Sequence, residues 1–169
     1  MFQKLKKRKS NKRMFFLLVS AMIVLPVLGE QVNENTARKV AAKILIHSSE
    51  LRSSSDESLQ LLYISSNSGN TKTSMRASQT DETVYFYVFG TEDNKGFAIV
   101  SGDDRVLPVL GYSNTNGFSA DNLPDNLLWW LGEYAKQIQF AIDNDIKPTA
   151  EVTQQWAQYL GTDTNEKEE

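Results

Sequence analysis

The stretch Thr83–Tyr112, TVYFYVFGTEDNKGFAIVSGDDRVLPVLGY, decides the fold. Its residues Val84 to Phe89 are all β-branched or aromatic, which suits a pleated strand rather than a helix. Gly90 to Gly96 (GTEDNKG) reads as a turn, and Phe97 to Ser101 (FAIVS) as the next strand. Two strands joined by a short glycine-flanked link predict an antiparallel hairpin. Gly102, Asp103, Asp104 and Arg105 form a second, structural turn. Val106 to Tyr112 (VLPVLGY) is a third strand, in which Pro108 marks an edge or a bulge. Tyr85, Tyr87 and Phe89 alternate with Val84, Phe86 and Val88, so both faces of the first strand are apolar. Two readings of that face stand open. It is a core layer closed by another part of the chain, or Tyr85, Tyr87 and Phe89 form a docking face for a partner.

Working outward, Leu59 to Ile64 (LQLLYI) reads as a short buried strand. Between it and the central hairpin, Ser65 to Glu82 lacks periodicity and is rich in turn formers, which predicts a long loop. Further upstream, Ala37, Val40, Ala41, Ile44 and Leu45 follow helical spacing within Asn33–Ser48, with Asn33 or Asn35 as cap. A polar connection, Ser48–Ser58, follows it. Downstream, Asn122–Asn144 carries an apolar stripe of Leu127, Trp130, Leu131, Tyr134, Ile138, Ala141 and Ile142. Asp121 or Asn122 is its expected cap, and Pro124 suits its first turn. Thr149–Leu160 is a shorter helix with Val152, Trp156 and Leu160 on one side, stopped by Gly161. Strands clustered between helices predict an α+β domain over residues 30–160. Its antiparallel sheet has about four strands, with helices packed mainly on one face.

The two ends read differently. Seven of the 18 basic residues lie within Met1–Arg13, and the apolar stretch Met14–Leu28 (MFFLLVSAMIVLPVL) follows. That stretch is short for a spanning helix, and Val27 and Gly29 permit cleavage after Gly29. Residues 1–29 are therefore expected to be a signal peptide, the alternative being an uncleaved anchor. The mature chain is expected outside the cytoplasm, secreted or periplasmic, without stable membrane insertion. The tail 161–169 is acidic and expected to be disordered.

Composition limits the chemistry. The 169 residues carry a formal net charge of −3, and without the seven N-terminal cations the remainder stands at −10. Such a chain lacks the basic patch that neutralises phosphates, so nucleic acid is not an expected partner. With no cysteine it has no disulfide, no thiol nucleophile, no zinc–cysteine site and no lipidated N-terminal cysteine. The single histidine, His47, falls at a helix C-terminus, where it suits the dipole and has no neighbours to form a triad. Asp103-Asp104 resembles a carboxylate pair for acid–base work, but adjacent residues in a turn point in different directions. No glycine-rich loop connects a strand to a helix in phosphate-binding form. No cofactor or metal is expected, and no enzymatic activity.

One resemblance is specific. VYFYVF, then KGFAIVSGDDR, PVLGYS, GF, NLPDN and WWLGEYAKQI, in that order between Val84 and Ile142, are similar to the prodomain of streptopain-type cysteine peptidases and to free-standing inhibitors of the Spi type. The likeness extends weakly to Val32 and Leu160. It implies an α+β prodomain that packs on a papain-like peptidase and holds it inactive. It also implies that an asparagine at the start of the long helix lies near the peptidase cleft. The matching residue is Asn126, preceded by Pro124 and Asp125, and these three are the expected peptidase contacts. A complete peptidase of this type continues with a catalytic domain holding a cysteine and a histidine. The present chain ends at Glu169 without any cysteine. It is thus expected to be an exported inhibitor or a prodomain acting in trans. The other expectations are a non-inhibitory binding module, the remnant of a truncated peptidase gene, or a folding helper.

Overall fold

The strand that is apolar on both faces is covered on both. The structure, a computed structural model, describes residues 29–47, 59–71 and 82–161. Its elements are α1 (Glu34–His47), β1 (Gln60–Ser66), β2 (Gly69–Thr71), β3 (Val84–Gly90), β4 (Phe97–Ser101), β5 (Val109–Ser113), α2 (Asp125–Asp143) and α3 (Ala150–Leu160). The five strands form one antiparallel sheet in the order β2-β1-β3-β4-β5. The expected signal peptide up to residue 28, the whole polar connection Ser48–Ser58 and the tail from residue 162 lie outside the described residues, as does the His47 side chain.

Register explains the two layers. Tyr87 pairs with Val100 and Phe89 with Ala98, and these four lie in one core with Val40, Ala41 and Leu45 of α1 and Trp156 of α3. The alternate residues Phe86, Val88 and Ile99 face the other way, into a second core with Tyr63 of β1 and Leu131 of α2. Two helices thus share one face of the sheet, as the α+β reading has it, while the long helix α2 covers the other. Burying both faces is what an all-apolar strand such as VYFYVF requires.

Three corrections concern boundaries. Of the segment expected to be one long loop, residues 72–81 lie outside the described residues, Ser65 and Ser66 continue β1, Asn67 and Ser68 turn, and Gly69–Thr71 return as the edge strand β2. Its polar residues conceal the strand because an edge strand needs no apolar face. The long helix starts at Asp125, and Pro124 occupies its cap without any side-chain hydrogen bond, so neither Asp121 nor Asn122 caps it. In α3, Leu160 is exposed, and Tyr159 packs against the core instead.

Other local signals operate as expected. The Asn33 side chain accepts from Thr36 N–H at 2.9 Å and starts α1. The Thr149 hydroxyl accepts from Val152 N–H at 3.3 Å, and Gly161 ends α3 at φ 71°. The strand expected from Val106 starts only at Val109, so Pro108 lies just ahead of β5, an edge strand that pairs with β4 across a register shift. Trp130 of α2 approaches β5 closely at Gly111. A Cβ there would sit 3.2 Å from the indole.

Candidate functional site

The approach to α2 is anchored at intervals that leave a short exposed segment. Phe118 is buried against the rings of Tyr63 and Phe97, with centroids 6.1 and 5.5 Å apart. Leu123 and Leu127 pack on the same apolar layer. Between those two leucines, Pro124, Asp125 and Asn126 face solvent. The structure therefore brings the three expected contact residues together on one exposed helix start. Asp125 lies in the first turn, where a negative charge suits the dipole. Pro124, the residue at the cap position, makes no side-chain hydrogen bond to the first-turn amides.

Apolar surface continues from this point. Leu128 is 45% and Trp129 69% exposed, although both are large hydrophobic residues in a well-packed helix. Phe140, at 61%, lies eleven residues beyond Trp129, which is three helical turns, so the two rings share a side. A Lys136–Glu133 ion pair of 2.7 Å crosses the helix surface between them. Leu128 also borders a cleft of about 260 Å³ between α2 and strands β1 and β3, with Tyr63, Ser66, Tyr85 and Gly132 along its walls. Tyr85 donates its phenolic hydrogen to the Gln139 side chain across this region. Burial, followed by the charge of Asp143, pushes the Tyr85 phenol above its ordinary range. In the sequence Trp129 and Phe140 are the two aromatic residues of the helix outside its apolar stripe, and periodicity speaks only for the stripe.

The alternative docking face does not survive. Tyr87 and Phe89 are buried beneath α1, and the Tyr87 hydroxyl donates to Val32 O at 3.1 Å. Tyr85 does not share their side, since it packs with the α2 core. The β1–β3 register shifts beside it, between Ser65 and Ser66, and this breaks the simple alternation on which the three-residue face depended.

The Gly102–Arg105 turn is built as a structural hub. Asp103 is fully buried, and both its carboxylate oxygens accept from Arg105 Nη1, at 3.1 and 2.9 Å. It also accepts from Arg105 N–H at 3.0 Å and from the Gln31 side chain at 3.2 Å. Burial works against the Arg105 charge, but the hydrogen bond and charge of Asp103 outweigh it and raise the guanidinium further. Asp104 points elsewhere, to the backbone of Glu30 at 2.6 Å. The two aspartates therefore do not act as an acid–base pair. Among the described residues no group of three or more His, Cys, Asp or Glu is placed to hold a metal, and no helix is long and apolar enough to cross a membrane.

This α+β domain has two helices on one face of its sheet, one on the other, and an exposed helix start. Residues 29–138 match the family of Spi protease inhibitors, and the chain belongs to that family. It is 29% identical over 138 residues to the thiol protease/hemagglutinin PrtT of Porphyromonas gingivalis, covering 81% of this chain and 15% of that protein. It is also 29% identical over 157 residues to streptopain of Streptococcus pyogenes serotype M1, covering 88% of this chain and 36% of that one. The chain thus spans between about a seventh and a third of the length of these relatives. No solved structure matches it.

Proposed function

We propose that the chain is an exported, non-catalytic inhibitor of a streptopain-type, papain-like cysteine peptidase. The start of α2 enters the cleft, with Asn126 closest to the reacting centre and Pro124 and Asp125 beside it. The single observation that carries this reading is the exposed Pro124–Asn126 segment, continued by Leu128 and Trp129 on a helix otherwise anchored to the sheet. A partner covering Trp129 gains apolar burial that the domain itself leaves unused. The rigid seating of Leu123, Leu127 and Leu131 presents the segment without further ordering cost. Membership in an inhibitor family and similarity to two thiol proteases support the choice of target.

Export is part of the same proposal. Residues 1–29 serve as the leader, and residues 1–28 lie outside the family match. Residues 30–160 are the inhibitor domain and 161–169 its acidic tail.

A second reading follows from the share of each relative that is matched. Because the similar segment is a minor part of longer proteases, the domain can also act in trans as a prodomain or folding helper. The test is direct. Purified chain is titrated into an active streptopain-type peptidase and the residual activity is followed. Stoichiometric loss of activity is expected for the parent, and weakened inhibition with unchanged melting temperature for Asn126→Ala. A parent that fails to bind at micromolar concentration overturns the inhibitor reading. Binding that speeds refolding of the denatured peptidase without inhibiting the folded one favours the folding helper.

A further inference from the structure

The residues just ahead of α1 run alongside the β4–β5 turn and are fixed to it by their main chain. Glu30 N–H donates to Asp104 Oδ1 at 2.6 Å, and Asp104 N–H returns to Glu30 O at 3.0 Å. Gln31 forms a bridge with Asp103, and Val32 N–H donates to Gly102 O at 2.8 Å. The Gln31 side chain accepts from Val84 N–H at 3.0 Å and ties the same segment to β3. The nitrogen of Glu30 is thus held against a carboxylate by contacts that all lie at or after residue 30.

We propose that Asp104 is a binding site for a primary ammonium group, the one that cleavage after Gly29 creates on Glu30. The proposal rests on the export reading given above. Hydrolysis of the Gly29–Glu30 bond by a leader peptidase consumes one water. The carboxylate departs with Gly29, and the amine left on Glu30 takes up a proton. A neutral amide donor in contact with Asp104 then becomes a full positive charge at the same place. Hydrogen bonds with an ionised donor and acceptor are about twice as strong as neutral ones.

The charges around the site leave room for that cation. Facing Asp104 are Asp103, Arg105 and the Glu30 side chain. Arg105 is committed to Asp103 at 2.9 Å, and its second branch reaches Asp145 at 3.6 Å, which Lys147 also pairs at 2.7 Å. Among the described residues, no cation forms a salt bridge with Asp104 itself. Burial is the largest influence and pushes the Asp104 carboxyl above its ordinary range, against the pull of the Glu30 amide and the Arg105 charge. The residue lost on cleavage also fits. Before cleavage Gly29 lies against the Arg105 side chain, where a Cβ would stand 2.2 Å from Cγ, and the cleavage rule favours a small residue at the same position.

The consequence has a definite sign. An α-amino group that gains a carboxylate partner has its folded pKa raised above the ordinary ~7.7–8.0. Its contribution to stability is then complete below about pH 7.5 and disappears as pH rises through the folded midpoint. The test uses the chain as isolated after export. Intact mass identifies its first residue, and NMR of the Glu30 α-carbon follows the amine through its titration, folded and in urea. The expected result is a chain beginning at Glu30 whose folded midpoint exceeds that in urea by about one pH unit, a tenfold change in proton affinity. Asp104→Asn should restore the ordinary midpoint. The comparison of folded and denatured parent stands even if that variant does not fold. Equal midpoints in the folded and denatured parent overturn the proposal and leave the export reading intact. A first residue other than Glu30 also overturns it, and retention of Met1 removes the export reading as well.

Discussion

Asp103 and Arg105, two residues apart in one turn, form an ion pair at 2.9 Å in which Asp103 is buried. Removing one member of such a pair leaves the other charge uncompensated, at a cost of about 3–5 kcal/mol. The two deletions are not equivalent here. Arg105 keeps Asp145 at 3.6 Å when Asp103 is lost, whereas Asp103 keeps no cation when Arg105 is lost. Arg105→Ala should therefore destabilise more than Asp103→Ala in urea titrations at neutral pH. The reverse order would show that the pair is not the centre of the turn.

Gly102 tests the backbone of the same hub. A Cβ at this position would stand 2.3 Å from the Val84 carbonyl oxygen, which is main chain and cannot turn aside. Gly102→Ala must push β3 away and strain the bond from Gly102 N–H to Tyr85 O, now 2.7 Å. A loss of about 1–3 kcal/mol is expected from such overpacking. Chemical denaturation measures it, and an unchanged midpoint would contradict this close approach.

The two cores predict matched costs. Phe86 and Phe89 are both buried, on opposite faces of β3. Each Phe→Ala truncation should cost about 3–5 kcal/mol. The sum in the double variant should be close to additive, because the sheet separates the two sites. If only one truncation matters, only one face of the strand is a real core.

Alkaline pH probes the α2 side. Burial raises the Tyr63 phenol, and its ring lies 6.1 Å from that of Phe86. A phenol raised on folding leaves stability whole below about pH 10 and removes it as pH climbs from there towards the folded value. Tyr63→Phe should therefore flatten the decline in stability above about pH 10. A decline as steep in the variant as in the parent would assign the loss to other groups.

Trp129 separates folding from docking. At 69% exposure it contributes little to the domain, so Trp129→Ala should change stability by no more than about 0.5 kcal/mol. If it anchors a peptidase, the same change should weaken binding by about 2 kcal/mol or more, roughly thirtyfold. Calorimetric binding measured beside thermal melting tells these apart. Unchanged affinity would move the contact away from this side of α2.

Much of this protein was legible along the chain. The run VYFYVF reads as a strand apolar on both faces, and Gly90 to Gly96 as the turn that reverses it. The stripe from Leu127 to Ile142 identified the face that α2 buries. Thr149 and Gly161 marked the ends of α3. These are local signals, since periodicity, caps and turns act between residues near in sequence. The order VYFYVF, GFAIVSGDDR, LGYS, NLPDN was equally legible as a family resemblance, and it singled out Asn126.

Tertiary structure decided the rest. Nothing local said that α2 would take the face opposite α1 and α3, because an apolar stripe specifies burial but not against what. Nothing local revealed β2, whose polar residues are strand only because β1 offers them an edge. Tyr85 left the side of Tyr87 and Phe89 through an irregular register, which alternation alone does not contain. The sequence named Asp103, Asp104 and Arg105 as a turn. Only the fold brought Glu30 and Gln31 beside it, across more than 70 residues of chain, because the burial of α1 against β4 carries its leading segment there.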